Sequence, residues 1–204
     1  MKYDLETRVS LVPAKPVYSI HDTVRLTVSA PILIKNRFND KIETIKSFDV
    51  GYELFFFKID SVSEENLRRD DTYDNVTIIE RSADVRTDFI PKSIYLTPSL
   101  TGDSAYVSSL SVVFNEPGVY YMMFNSFTDE DIIFLGENIR DEIVLVDGCP
   151  KAIYELFNAV NGGGNNNVDI LCETQPIICS ISNLLDNKAK VYDREGGYIF
   201  RVVE

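Results

Sequence analysis

The chain has no tryptophan, a single histidine and only three cysteines in 204 residues, and basic residues are outnumbered 20 to 32 by acidic ones. Each scarcity narrows the chemistry. A nucleophile–histidine triad needs a base beside its nucleophile. The lone His21, flanked by Ile20 and Asp22 at the mouth of a strand, reads as a solvated turn residue. Cys149, Cys172 and Cys179 are separated by 22 and 6 residues with no C-x2-C pair, so the spacing does not suit zinc. None of the three has a sequence context for thiolate activation. They fit one disulfide plus a free thiol in an oxidising compartment, or three thiols in a reducing one.

The formal net charge of −12 repels phosphate backbones. Arg68-Arg69 is followed at once by Asp70-Asp71, and the cluster Lys35 to Lys41 is diluted by Asp40, so neither makes a nucleic-acid stripe. No run approaches the ~18 apolar residues that cross a bilayer. The start, Met1-Lys2-Tyr3-Asp4-Leu5-Glu6, has no apolar h-region. That fits a cytosolic chain, or an exported one whose leader lies upstream.

What is present is apolar and aromatic: 45% hydrophobic residues, with 11 Tyr and 12 Phe. With frequent Val, Ile and Thr, this mix suits pleated, half-buried surfaces. Thr23 to Ala30 alternates strictly, with Val24, Leu26, Val28 and Ala30 on one face and Arg25, Thr27 and Ser29 on the other. Such a period of two means one buried and one wet face. Phe48 to Ile59 is apolar on both faces, which predicts a central strand whose aromatics are core rather than a sugar-stacking platform. Further strands are expected at 76–80, 93–96, 107–114, 119–125, 132–135 and 142–146. Asn115-Glu116-Pro117-Gly118 reads as a tight hairpin turn, with Pro117 presetting φ and Gly118 free to take positive φ.

The pattern changes after residue 147. Ile153, Leu156, Phe157 and Val160 recur at helical spacing after Pro150, and Ile177, Ile181, Leu184 and Leu185 repeat the scheme after Pro176. Between them Gly162-Gly163-Gly164-Asn165-Asn166-Asn167 lacks the Lys-Ser/Thr of a phosphate loop and reads as a mobile linker. The expectation is one β-sandwich domain over 1–204, with a helical insertion at about 148–187 and a closing hairpin at 188–204. Cys172 and Cys179 flank the turn before the second helix and form the candidate disulfide, with Cys149 to Cys179 as the alternative. The acidic clusters Asp70 to Asp74 and Asp129 to Asp131 do not match calcium-loop spacing and read as solvated loops.

Two segments carry a family resemblance. Tyr18-Ser19-Ile20-His21-Asp22-Thr23-Val24-Arg25-Leu26 resembles the immunoglobulin-like entry Tyr-x-x-Gly-Asp-Thr-Val-x-Leu, with His21 in place of the glycine. Phe114 to Tyr120 resembles the Phe-x-x-Pro-Gly-x-Tyr turn of such domains. These parts, in this order and with the end Tyr198 to Val203, are similar to uncharacterised envelope lipoproteins of the Bacteroidetes type. The resemblance implies an immunoglobulin-like antiparallel β-sandwich in the cell envelope with a lipid anchor upstream. It brings no catalytic residue, cofactor or metal.

Three functions compete. The first is a non-catalytic envelope protein whose sandwich contacts another protein or a glycan. The second is a carbohydrate-binding module, which needs exposed Tyr or Phe. The third is a hydrolase using carboxylates in a cleft between sandwich and helical insertion, which needs two buried carboxylates with raised pKa in one cleft.

Overall fold

A computed structural model describes residues 2–36, 39–59, 75–82, 85–86, 94–126, 143–145, 153–162, 166–176 and 197–204. Alternation along the chain produces two sheets whose apolar faces meet. The first contains β1 (Lys2–Val12), β3 (Thr23–Pro31), β4 (Leu33–Asn36), β5 (Ile42–Phe48), β7 (Val76–Arg81), β10 (Ser99–Thr101), β11 (Ala105–Phe114), β13 (Ile143–Leu145) and β14 (Ile153–Val160). The second runs in the order β2 (Val17–Ser19), β15 (Tyr198–Val203), β12 (Gly118–Ser126), β6 (Tyr52–Lys58), β9 (Ile94–Leu96) and β8 (Val85–Arg86). One short helix, α1 (Val168–Thr174), lies near the C-terminal end. The class is an immunoglobulin-like β-sandwich with a small helical excursion.

The core sits between the sheets. Val24, Leu26 and Val28 of β3 and Leu110, Val112 and Phe114 of β11 meet Leu54 and Phe56 of β6 in one buried cluster that runs from Val9 to Val202. Phe114 lies at its aromatic centre, 4.9 Å from Phe200, 5.1 Å from Tyr120 and 5.6 Å from Phe56 between ring centroids. Such tilted and edge-on pairs add to the burial energy of each ring. Both faces of β6 are covered, as its sequence requires. Leu54 and Phe56 point into the sandwich, while Phe55 is fully buried on the other side and stacks on Phe57 at 5.6 Å.

Four local expectations change in the fold. The apolar stretch 48–59 is not one strand: Phe48 ends β5 in the first sheet, and Tyr52 begins β6 in the second, with Gly51 between them. Asn115 to Pro117 is not a hairpin turn. β11 pairs with β3 and β7, and β12 with β6 and β15, so these residues arch from one sheet to the other. Gly118 has φ 158°, close to extended backbone rather than left-handed. The arch is held by the Tyr120 hydroxyl, which donates to the Glu116 carbonyl at 2.9 Å, the geometry of a tyrosine corner.

The third change is the segment 153–160, where the helical spacing gives way to strand β14, parallel to β1 from Lys2↔Ile153 to Val9↔Val160. The edge of β1 offers backbone donors and acceptors that only a strand can satisfy in ladder fashion. Ile, Tyr, Phe and Val in the segment suit a strand equally well. The fourth is the glycine–asparagine run. Asn166 and Asn167 are tied to β15, the Asn166 carbonyl accepting from Ile199 N at 3.0 Å and Asn167 Nδ2 donating to Ile199 O at 2.8 Å. The second helix expected from Gln175 to Asp186 and the hairpin arm at 190–193 lie outside the described residues, apart from Gln175 and Pro176. Strand 132–135 also lies outside them.

Candidate functional site

The two outer faces of the sandwich differ. Helix α1 closes part of the second sheet, burying Val168 and Leu171 against Ile59, Val119 and Ile199. Gln175 Nε2 donates to Ile59 O at 2.8 Å, and Arg201 pairs with Glu173 at 2.8 Å, tying the helix end to the sheet. Among the described residues no element covers the first sheet in this way.

Register builds the open face row by row. Arg25 stands opposite Ser111 on one side and Val12 on the other. Thr27 stands between Ser109 and Ser10, and Ser29 between Val107 and Arg8. Beyond β11 the first row continues to Glu80, and Ser82 N donates to Ser109 O at 2.9 Å. Because successive side chains alternate, these outward positions share one surface. It is lined by small hydroxyls and arginines, with Val12 and Val107 among them.

A β-bulge interrupts the β11–β7 pairing between Ser111 and Val112. Bulges bend a strand and deepen its twist. Here a depression of about 350 Å³ opens, lined by Arg25, Glu80, Arg81, Ser82, Ser109 and Ser111. Ser111 is buried, and its hydroxyl donates to Glu80 Oε2 at 3.3 Å. Ser82 Oγ lies 3.1 Å from Ser108 Oγ and accepts from Ser109 N at 3.3 Å. Arg25 and Arg81 are exposed, and neither forms an ion pair among the described residues.

A second polar cluster lies where β1 passes to β2. Tyr18 donates its hydroxyl to Pro13 O at 2.7 Å, Lys15 pairs with Asp22 at 2.5 Å, and Tyr198 donates to Lys15 O at 3.3 Å. Burial pushes the Tyr18 phenol up to about 12, and burial also raises Tyr198. The Lys15 side chain, with the Ser19 backbone N–H, lowers Asp22. Every one of these groups is consumed by its neighbours, so the cluster fastens the corner rather than presenting chemistry.

His21 is exposed in the turn before β3, with no side-chain partner among the described residues. Cys172, in α1, is disulfide-bonded. Its partner is one of the other two cysteines, both outside the described residues, and so are the acidic clusters 70–74 and 129–131. Tyr52, Leu54, Phe55 and Phe56 are core. The only buried carboxylate among the described residues is Glu43, which lies 3.4 Å from Lys41. Arg81, Glu80 and the serines of the depression carried no sequence signal of their own. Arg25, Thr27 and Ser29 were legible as a wet face, but the bulge that gathers them with β7 was not.

No protein-family model matches the chain, and no curated protein matches it. Among solved structures it is similar to a type II cohesin domain from the cellulosome of Acetivibrio cellulolyticus, at 12% identity, 63% of this chain, 77% of that one and TM-score 0.30. It is also similar to an M1 zinc metallopeptidase from Deinococcus radiodurans, at 10% identity, 59% and 25% coverage and TM-score 0.20. A third is native yeast LTA4 hydrolase, at 9% identity, 78% and 23% coverage and TM-score 0.14. The chain thus spans about a quarter of the length of each of the last two. The fold class rests on the two sheets themselves.

Proposed function

We propose that the chain is a non-catalytic β-sandwich module that docks another protein on the outer face of its first sheet. The carrying observation is that open face of small hydroxyls and arginines across β7, β11, β3 and β1. Four strands at ~4.8 Å spacing and about nine residues of length give a projected area of roughly 600 Å², the scale of one partner's share of an ordinary interface. Small side chains let a partner approach the sheet closely, and hydroxyls donate or accept to suit it.

A glycan-binding module is the weaker reading, because the aromatic side chains whose burial is described, from Tyr18 to Phe200, are buried or half-buried. The hydrolase reading gains no support either. The Lys15 side chain and the Ser19 backbone N–H hold the Asp22 carboxyl below its ordinary value, opposite to a general acid. Kinship with envelope lipoproteins, an upstream lipid anchor and an envelope location belong to the same proposal. A disulfide at Cys172 favours an oxidising compartment.

The test is site-specific photo-crosslinking in the native cell, with the crosslinker placed at Ser10, Thr27 or Ser29 and, as control, at Glu116. The proposal expects one protein adduct shared by the three face positions, absent at Glu116 and suppressed by Thr27→Arg when the crosslinker is at Ser29. Equal labelling at the control position, or a glycan that binds and is insensitive to Thr27→Arg, overturns it.

A further inference from the structure

The docking face differs in charge from the rest of the chain, and that difference selects its partner. We propose that the partner is a second copy of this chain, packed face to face about a two-fold axis that runs along β11. The inference rests on the docking reading and names the docked protein. The chain carries a net charge of −12. Among the described side chains, those that strand register sets on this face are Arg8 and Arg25 against Glu6 and Glu80, two of each sign. Two copies that repel each other elsewhere can therefore meet through this face, with charges beyond ~8 Å screened at physiological salt.

The arrangement of these charges is self-complementary. Arg25 and Glu80 flank Ser111 in one row, one strand away on either side. Strands lie ~4.8 Å apart, so the two charges stand at equal distances from β11. A two-fold axis along β11, in the plane between two stacked sheets, exchanges the two sides. It sets Arg25 of each copy over Glu80 of the other, and the contact is made twice, as in any isologous interface. Twisted sheets pack at about 30° to each other. At ~4.8 Å from the axis that angle displaces each charge by ~2–3 Å, a distance an arginine side chain spans. Within one copy Arg25 and Glu80 form no ion pair. The Ser111 hydroxyl donates to Glu80 Oε2 at 3.3 Å, which holds the carboxylate in its row and leaves Oε1 open to a guanidinium.

The residues along the axis suit a meeting of like with like. Ser109 and Ser111 face outward on β11, with Thr27 beside Ser109. A hydroxyl both donates and accepts, so it can bond its own counterpart, which two ammonium groups or two carboxylates cannot do. Val107, farther along the same strand, meets its counterpart as an apolar contact. In this packing β3, β11 and β7 of the two copies overlap. Three strands of about nine residues at ~4.8 Å spacing cover roughly 430 Å² per copy and about 900 Å² in all, the scale of a weak, reversible association rather than a permanent dimer.

Sedimentation equilibrium of the full chain, taken to about 1 mM, reads the association. The expected result is a monomer–dimer equilibrium. Arg25→Glu and Glu80→Arg should each weaken it by about tenfold or more, because like charges then face each other. An equimolar mixture of these two variants should dimerise again, since both pairs in the mixed dimer are of opposite sign. Recovery requires both faces to be folded, so it separates lost charge from lost structure. A chain that stays monomeric at that concentration, single variants that associate as tightly as the unaltered chain, or a mixture that does not recover each overturn the second-copy assignment. The crosslinking positions separate this from docking itself. An adduct of twice the chain's mass is expected at Thr27 and Ser29. Adducts there with a different protein leave docking standing and overturn the dimer, and no adduct at any of the three face positions overturns both.

Discussion

At the scale of single residues, Gly51 leaves no room for a side chain. A Cβ built there would sit 1.7 Å from the Tyr95 hydroxyl oxygen and 2.2 Å from its Cζ. The ring of Tyr95 therefore lies where any other residue at 51 would need space. Gly51→Ala should destabilise the domain by about 1–3 kcal/mol, the usual range for overpacking. The cost should shrink in a Tyr95→Ala background, where urea denaturation of the four variants of the cycle measures the coupling. An undiminished cost would place the strain in the backbone instead.

Tyr18 makes a second residue-scale prediction. Its phenol is raised from 10.0 to about 12 by burial, against the pull of the Lys15 backbone N–H. A tyrosine raised in the fold favours its neutral form, so the stabilisation is complete below the unfolded value and is lost as pH rises through the folded one. The loss should fall between pH 10 and about 12. Ultraviolet titration should show a late phenolate that Tyr18→Phe removes, with a shallower alkaline loss of stability in that variant.

At the scale of elements, β6 and β14 illustrate opposite outcomes. Doubly apolar sequence placed β6 in the interior, and Phe56 is indeed 1% exposed between β3, β11 and the rest of its own sheet. Phe56→Ala should cost about 3–5 kcal/mol in thermal or urea unfolding. A change below about 1 kcal/mol would contradict the packing, because a fully enclosed ring cannot be removed without leaving a cavity. β14 shows the limit of periodicity. Positions 153, 156, 157 and 160 satisfy a helical stripe, yet the segment is a strand because it completes the ladder beside β1. Eight residues are too few for period alone to decide between the two forms.

At the scale of the whole molecule, the two ends of the chain are locked together. β1 lies parallel to β14 in the first sheet, and β2 lies parallel to β15 in the second. Pro13 and Pro16 separate β1 from β2, so the N-terminal segment serves both sheets. The helix that follows β14 is pinned to β12 and β15 and carries the disulfide-bonded Cys172. Reduction, or Cys172→Ala, should lower the melting temperature, with a short 172–179 loop worth about 2–3 kcal/mol. Non-reducing peptide mapping identifies the partner. A Cys172–Cys179 peptide supports the expected bridge, and a Cys149–Cys172 peptide replaces it.

The sequence by itself determined what depends on neighbours along the chain. Strict alternation in Thr23 to Ala30 set which side chains are buried and left Arg25 exposed and Thr27 and Ser29 half-buried on the outer face. Apolar residues on both faces set β6 inside, and the Phe114 to Tyr120 motif set a tight reversal. Only the tertiary structure decided which strands became partners. The reversal at Asn115 to Pro117 serves equally as a hairpin or as an arch, and the arch formed because β3 and β7 flank β11 while β6 and β15 flank β12. The docking face has the same origin. Glu80, Ser111 and Arg25 are far apart in sequence and share a row through hydrogen-bond register and one bulge. Period and turn chemistry are local energies written in adjacent residues, whereas register is settled by long-range pairing that no single segment encodes.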